Sequence, residues 1–202
     1  VTPAEPMNMT SAWQIDGGEL DYFPASGDVV RGMGYNKALD LILIASRSDN
    51  KIHMLDAETG ADVGALDMTG VDGGFYGIKL MKVVADAEGV MYACNLASGG
   101  DFKIYRWADT SAVPTVALQQ NVDTRFGDVL AIYGAGSDTK LYASERGGTS
   151  IKVFGTTDGE NFEEVQSIPI PSGSANGGIS VVDEAHLWIN AAAHDPVKLD
   201  TT

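Results

Sequence analysis

The chain of 202 residues holds one cysteine, Cys94. A single thiol excludes an internal disulfide and any cysteine-based zinc centre. Its place in the apolar run VMYACNL points to small buried filler and not to a nucleophile. Basic residues are scarce as well: 13 Lys and Arg stand against 28 Asp and Glu, a net charge of −15. Such a surface repels nucleic acid and anionic lipid, so neither is expected as a partner. No apolar run reaches the roughly 18 residues of a membrane span, and there is no basic-then-apolar leader. Val1 in place of Met fits an export signal already removed. The chemical signatures G-x-S-x-G, H-E-x-x-H and the P-loop are all missing. The three histidines, His53, His186 and His194, share no i, i+2 or i, i+4 spacing, so each is expected to stand alone.

What the chain has is glycine, 24 residues of it, and short apolar runs closed by turn residues. GDVVRGMGYN opens at Gly27, GIKLMKVVAD at Gly77, GDVLAIYGAG at Gly127 and GGISVVDEAH at Gly177, a fixed register of 50 residues. Four short runs per repeat mark a propeller blade. In the first repeat these lie at 29–35, 41–46, 51–56 and 63–67; LILIAS at 41–46 is apolar without alternation, as a strand buried on both faces would be. The second repeat reads as strands at 80–85, 90–96, 102–107 and 115–119, and the third at 129–133, 140–144, 150–154 and 163–168. The fourth offers 179–182, 186–190 and 197–199 and lacks an outermost strand. The fold class is therefore all-β: a β-propeller of four blade repeats, either a closed small ring or a segment of a larger one. The repeats cover 27–76, 77–126, 127–176 and 177–202 of a single domain, with 1–26 available to complete the last blade through a strand at residues 11–15.

RGMGYN (31–36), IHMLDAETGADVGALDMTGVDGG (52–74), VADAEGVMYACNL (84–96), FKIYRWAD (102–109) and RFGD (125–128), in that order, resemble a bacterial secreted propeller-like family catalogued as domain of unknown function 4623. The likeness runs from about residue 31 to 179. It implies a propeller-like repeat domain of exported, often multi-modular proteins, placed outside the cell or in the periplasm, and it implies no reaction. The glycine pair and tryptophan of kelch repeats and the Gly-His/Trp-Asp pairs of WD40 repeats are absent in register.

Propellers bind at the mouth of the axial channel, where loops converge. In the repeat register the residues just after each second strand are Arg47, Asn95, Arg146 and Asn190, a candidate polar ring for a ligand. The competing reading is that they end strands and bond to backbone, as most polar side chains do. Two guanidiniums in such a ring favour an anion, a carboxylate or an acidic glycan, over calcium. The functional expectation is a non-catalytic extracellular binding or scaffolding module for a glycan or protein partner. The alternative is a calcium-dependent hydrolase or lactonase, with calcium as the one cofactor that the acidic composition could serve. Asp16, Glu19 and Asp21 form a small acid cluster that lacks the twelve-residue calcium loop and reads as a solvated turn; Asn8-Met9-Thr10 fits a glycosylation sequon. Trp13, Tyr22, Phe23, Phe75, Tyr76 and Phe126 lie near repeat junctions and are expected to pack between blades; exposed together, they would offer a platform to sugar rings or a protein.

Overall fold

The computed structural model describes residues 10–27, 30–192 and 194–201. The expected strand start at Val29 and the sequon residues Asn8 and Met9 lie outside them. Among the described residues fifteen strands form four antiparallel sheets, each a run of neighbours in chain order, so every sheet is a meander. The first holds β1 (Val30–Asn36), β2 (Leu41–Ser46), β3 (Lys51–Asp56) and β4 (Asp62–Ala65). The second holds β5 (Lys82–Ala85), β6 (Met91–Cys94), β7 (Ala97–Trp107) and β8 (Thr115–Phe126). The third holds β9 (Ala131–Tyr133), β10 (Lys140–Ser144), β11 (Ser150–Gly155) and β12 (Glu163–Pro169), and the fourth β13 (Gly178–Val181), β14 (His186–Ala191) and β15 (His194–Asp200). The innermost strands β1, β5, β9 and β13 neighbour one another in turn. The result is a four-bladed β-propeller.

Packing follows the period of two. In β2, Leu43 and Ala45 face the second blade and join Met91, Ala93 and Trp107 in one apolar cluster, while Ile44 faces the other way. Tyr92 and Cys94 on β6 pack against Leu141 and Ala143 of the third blade, and Tyr142 on β10 packs against Leu187 and Ile189 of the fourth. Each side chain thus sits between two sheets, as the unbroken apolar runs require. Trp107 is fully buried and its indole N–H is satisfied, donating to the Asp67 carbonyl at 2.7 Å.

Gly127, at the junction of blades two and three, shows why the register is punctuated by glycine. Its φ is +99°, and a Cβ there would lie 2.1 Å from the Asn95 carbonyl oxygen.

Two features differ from the sequence expectation. Residues 11–15, expected as the outer strand of the fourth blade, form no strand. They lie instead against the first blade: the Trp13 indole donates to the Ala57 carbonyl at 2.9 Å, and Trp13, Ile15, Leu20, Tyr22 and Phe23 cluster on Ile44 and Leu55. Apolar burial on the free face of blade one outweighs the hydrogen bonds available at the edge of blade four. The second difference is the β7–β8 hairpin, several residues longer toward its Ala97 and Phe126 end than the runs at 102–107 and 115–119 suggested. The strand continues through a bulge between Ser98 and Gly100 and pairs Ala97 with Phe126.

Candidate functional site: the arginine-lined mouth of the channel

The four inner strands run the same way along the axis, so their starts gather at one end and their ends at the other. At the starting end lies a cleft of about 430 Å³ whose lining includes Arg31, Arg125, Asp128, Arg146, Asn176 and His194. Three of the chain's five arginines meet here. At the opposite end a cleft of about 690 Å³ is lined by Asp86, Glu88, Asp138 and Glu184 together with Tyr133. Among the described lining residues, the cleft at one end of the inner strands is basic and the cleft at the other is acidic.

Each arginine arrives by a different route. Arg31 stands on β1, whose backbone is tied to blade two by Lys82 Nζ donating to the Arg31 carbonyl at 2.7 Å. Arg125 is carried by the extension of β8, where it pairs with Ser98. Arg146 follows β10, and its N–H donates to the Arg125 carbonyl at 2.8 Å, so two cationic residues are fixed on bonded backbone segments. Arg125 makes a two-pronged ion pair with Asp128, Nε to Oδ2 at 2.6 Å and Nη2 to Oδ1 at 2.5 Å. That carboxylate holds the guanidinium even more firmly protonated than usual. Arg146 is exposed, and among the described residues its guanidinium makes no ion pair.

Of the four residues selected by repeat register, Arg47, Asn95 and Arg146 follow second strands and Asn190 lies within β14, and only Arg146 lines the cleft. Asn95 is fully buried: Nδ2 donates to the Asp101 carbonyl and Oδ1 accepts from the Lys103 N–H, both at 2.9 Å, which secures the start of the long hairpin. Asn190 is exposed on the outer face of blade four, beside Trp188 and Pro196. Arg47 lies on blade one beyond the cleft lining. Register reasoning passed over Arg31 and Arg125 because they sit on the inner strand and the hairpin extension. The Arg-x-x-Asp spacing of Arg125 and Asp128 is the signal that could have found one of them.

Cys94 is fully buried, and burial pushes its thiol up to about 12, which leaves it inert. His53 pairs with Asp49 at 2.8 Å and stacks on Tyr22, His186 pairs with Asp183 at 2.8 Å, and His194 lies in the cleft. Among the described residues no group of three or more His, Cys, Asp or Glu side chains is arranged to hold a metal, and no helix is long and apolar enough to cross a membrane. Asp16 and Glu19 close a turn on themselves through the Asp16 N–H and Glu19 Oε2 at 2.8 Å. Of the junction aromatics, Tyr22 and Phe126 are buried and Trp13, Phe23 and Phe75 half-buried, but Tyr76 is 83% exposed and departs from the expected packing role.

Comparison with known structures agrees with the fold. A DUF4623 family protein from Bacteroides eggerthii superposes with a TM-score of 0.69 at 19% identity, over 85% of this chain and 43% of that one. A streptogramin B lyase superposes at 0.55 and 13% identity, over 84% of this chain and 54% of the lyase. Saccharomyces cerevisiae Sqt1 superposes at 0.53 and 13% identity, over 86% and 46%. The chain thus spans about half the length of each, and at these identities the likeness is one of fold. No curated protein matches the chain in sequence. The model of the family described as Domain of unknown function (DUF4623) matches residues 12–182, most of the chain, and this chain belongs to that family.

Proposed function

We propose that the chain is a non-catalytic extracellular binding or scaffolding module that captures an anionic ligand, one bearing a carboxylate, in the arginine-lined mouth of the propeller. One observation carries the reading: in a molecule of net charge −15, Arg31, Arg125 and Arg146 converge on one cleft, whose lining among the described residues includes the carboxylate of Asp128. Like charges repel, and a cluster held together by backbone pairing is stabilised when an anion enters it. Guanidinium forks match carboxylate geometry, and the half-enclosed cleft strengthens each contact relative to open water. The same charges oppose calcium at this mouth, which sets the module reading above a calcium-dependent hydrolase. The family resemblance supports placement outside the cell or in the periplasm. Calorimetric titration with citrate tests the site. Binding weakened about tenfold or more by Arg146→Ala supports it. Absence of citrate binding, combined with tight binding of calcium, overturns it.

A further inference from the structure

Among the described residues three that are not glycine have positive φ, Asp40, Asn50 and Tyr76, and Tyr76 is the one of these that is aromatic. It occupies the left-handed region, φ 55° and ψ 26°, where a non-glycine residue is unfavourable, and its side chain is 83% exposed. Its neighbours hold it there. The Phe75 N–H donates to the Leu96 carbonyl at 2.6 Å and the Gly77 N–H to the Gly74 carbonyl at 3.1 Å, closing a single turn. The Phe75 ring lies beneath, centroids 4.0 Å apart and tilted by 44°, and props the tyrosine ring outward. Leu96 immediately precedes β7, whose first residues pair with Phe126 and Arg125, so the turn stands over the strand pair that delivers Arg125 to the cleft.

We infer that Tyr76 is a ring platform at the edge of the arginine cleft, and that the ligand is a sugar acid: a pyranose whose carboxylate meets the guanidiniums while its apolar face lies on the tyrosine. This rests on the anionic-ligand reading of the same cleft. A carboxylate alone needs only the arginines, which leaves the cost of displaying an aromatic ring in water unexplained. A pyranose uses both, because its C–H face suits an aromatic surface and its acid group suits a guanidinium. Tyrosine also supplies this area with few rotatable bonds to immobilise.

Two probes separate the inference from the reading beneath it: an oligosaccharide of hexuronic acid and inorganic sulfate, each titrated into the full chain. Binding of the oligouronate but not of the matching neutral oligosaccharide is expected. Tyr76→Ala and Tyr76→Gly should weaken oligouronate binding about tenfold and leave sulfate binding unchanged, while Tyr76→Phe keeps most of the affinity. Arg146→Ala should weaken both probes. If Tyr76→Ala leaves oligouronate affinity within about twofold while Arg146→Ala reduces it, the platform is refuted and the anion site stands. If the unmodified chain binds neither probe, both fall. Thermal melting of each variant verifies that it is folded, and Tyr76→Gly, which suits the backbone conformation, guards against misfolding as the cause.

Discussion

At the scale of single residues, backbone conformation separates what the fold requires from what it merely tolerates. Gly127 cannot carry a side chain, since its Cβ would meet the Asn95 carbonyl at 2.1 Å and its φ is +99°. Gly127→Ala is expected to cost at least about 2 kcal/mol in chemical denaturation; a smaller loss would mean that the blade junction yields easily. Tyr76 is the converse. Replacing it by glycine removes a left-handed penalty of about 1–2 kcal/mol and adds about 0.5–1 kcal/mol of unfolded-chain entropy, so Tyr76→Gly should leave stability unchanged or raise it by up to about 1.5 kcal/mol. A clear loss of stability would show that the ring is held by packing instead. Asp158 gives a prediction in pH. Its carboxylate accepts N–H bonds from Glu160 and Asn161, both at 2.8 Å, and a bond from the Thr156 hydroxyl at 3.0 Å, so its folded pKa is depressed far below the ordinary carboxylate range. The stabilisation is present in full above the unfolded pKa and disappears as pH falls through the folded one. Melting temperatures of the native chain and of Asp158→Asn should therefore differ most at neutral pH and converge in strong acid.

At the scale of elements, the second strand of each blade tells an interior face from an outer one. Tyr92 and Tyr142 are 1% and 3% exposed because the next blade covers them, whereas Trp188, at the matching position of β14, is 46% exposed. Tyr142→Lys should be severely destabilising, since it buries an unpaired charge. Trp188→Lys should change the melting temperature little, and equal losses for the two variants would mean that the outer face of blade four is covered in solution. The first blade meets the same exposure differently. Residues 13–23 cover its free face, with the Trp13 ring lying where a Cβ on Gly60 would come within 2.8 Å of it. The long β7–β8 hairpin is the other element with a functional consequence, because its extension carries Arg125 to the cleft.

At the scale of the whole molecule, charge is sorted along the axis: arginines line one mouth, carboxylates the other, and the net charge of −15 lies around both. An anion approaching from solution meets overall repulsion before it reaches a local attraction. Added salt should consequently speed association by screening the long-range field while weakening the bound state by screening the contacts. Stopped-flow measurement of citrate binding across ionic strength checks this. An association rate that falls steeply with salt would show that the basic mouth, and not the net charge, governs approach.

The 50-residue register between Gly27, Gly77, Gly127 and Gly177 determined the class, the blade order and most strand positions, because strand burial and turn chemistry are local properties written into short runs. β2, β3 and β10 lie where LILIAS, KIHMLD and KLYAS place them. Arg146 lines the cleft because it follows β10 at the end where the inner strands start. What only the tertiary structure decided depends on competition between distant surfaces. Residues 11–15 could have added a strand to blade four, but Trp13 and its neighbours gain more apolar burial on blade one. Asn95 occupies the same register position as Arg146, yet the bulged hairpin beside it draws its amide inward to satisfy the Asp101 and Lys103 backbone. Arg31, Arg125 and Arg146 lie 94 and 21 residues apart along the chain, and no local pattern joins them; the curvature of successive blades around one axis brings their charges to a single cleft.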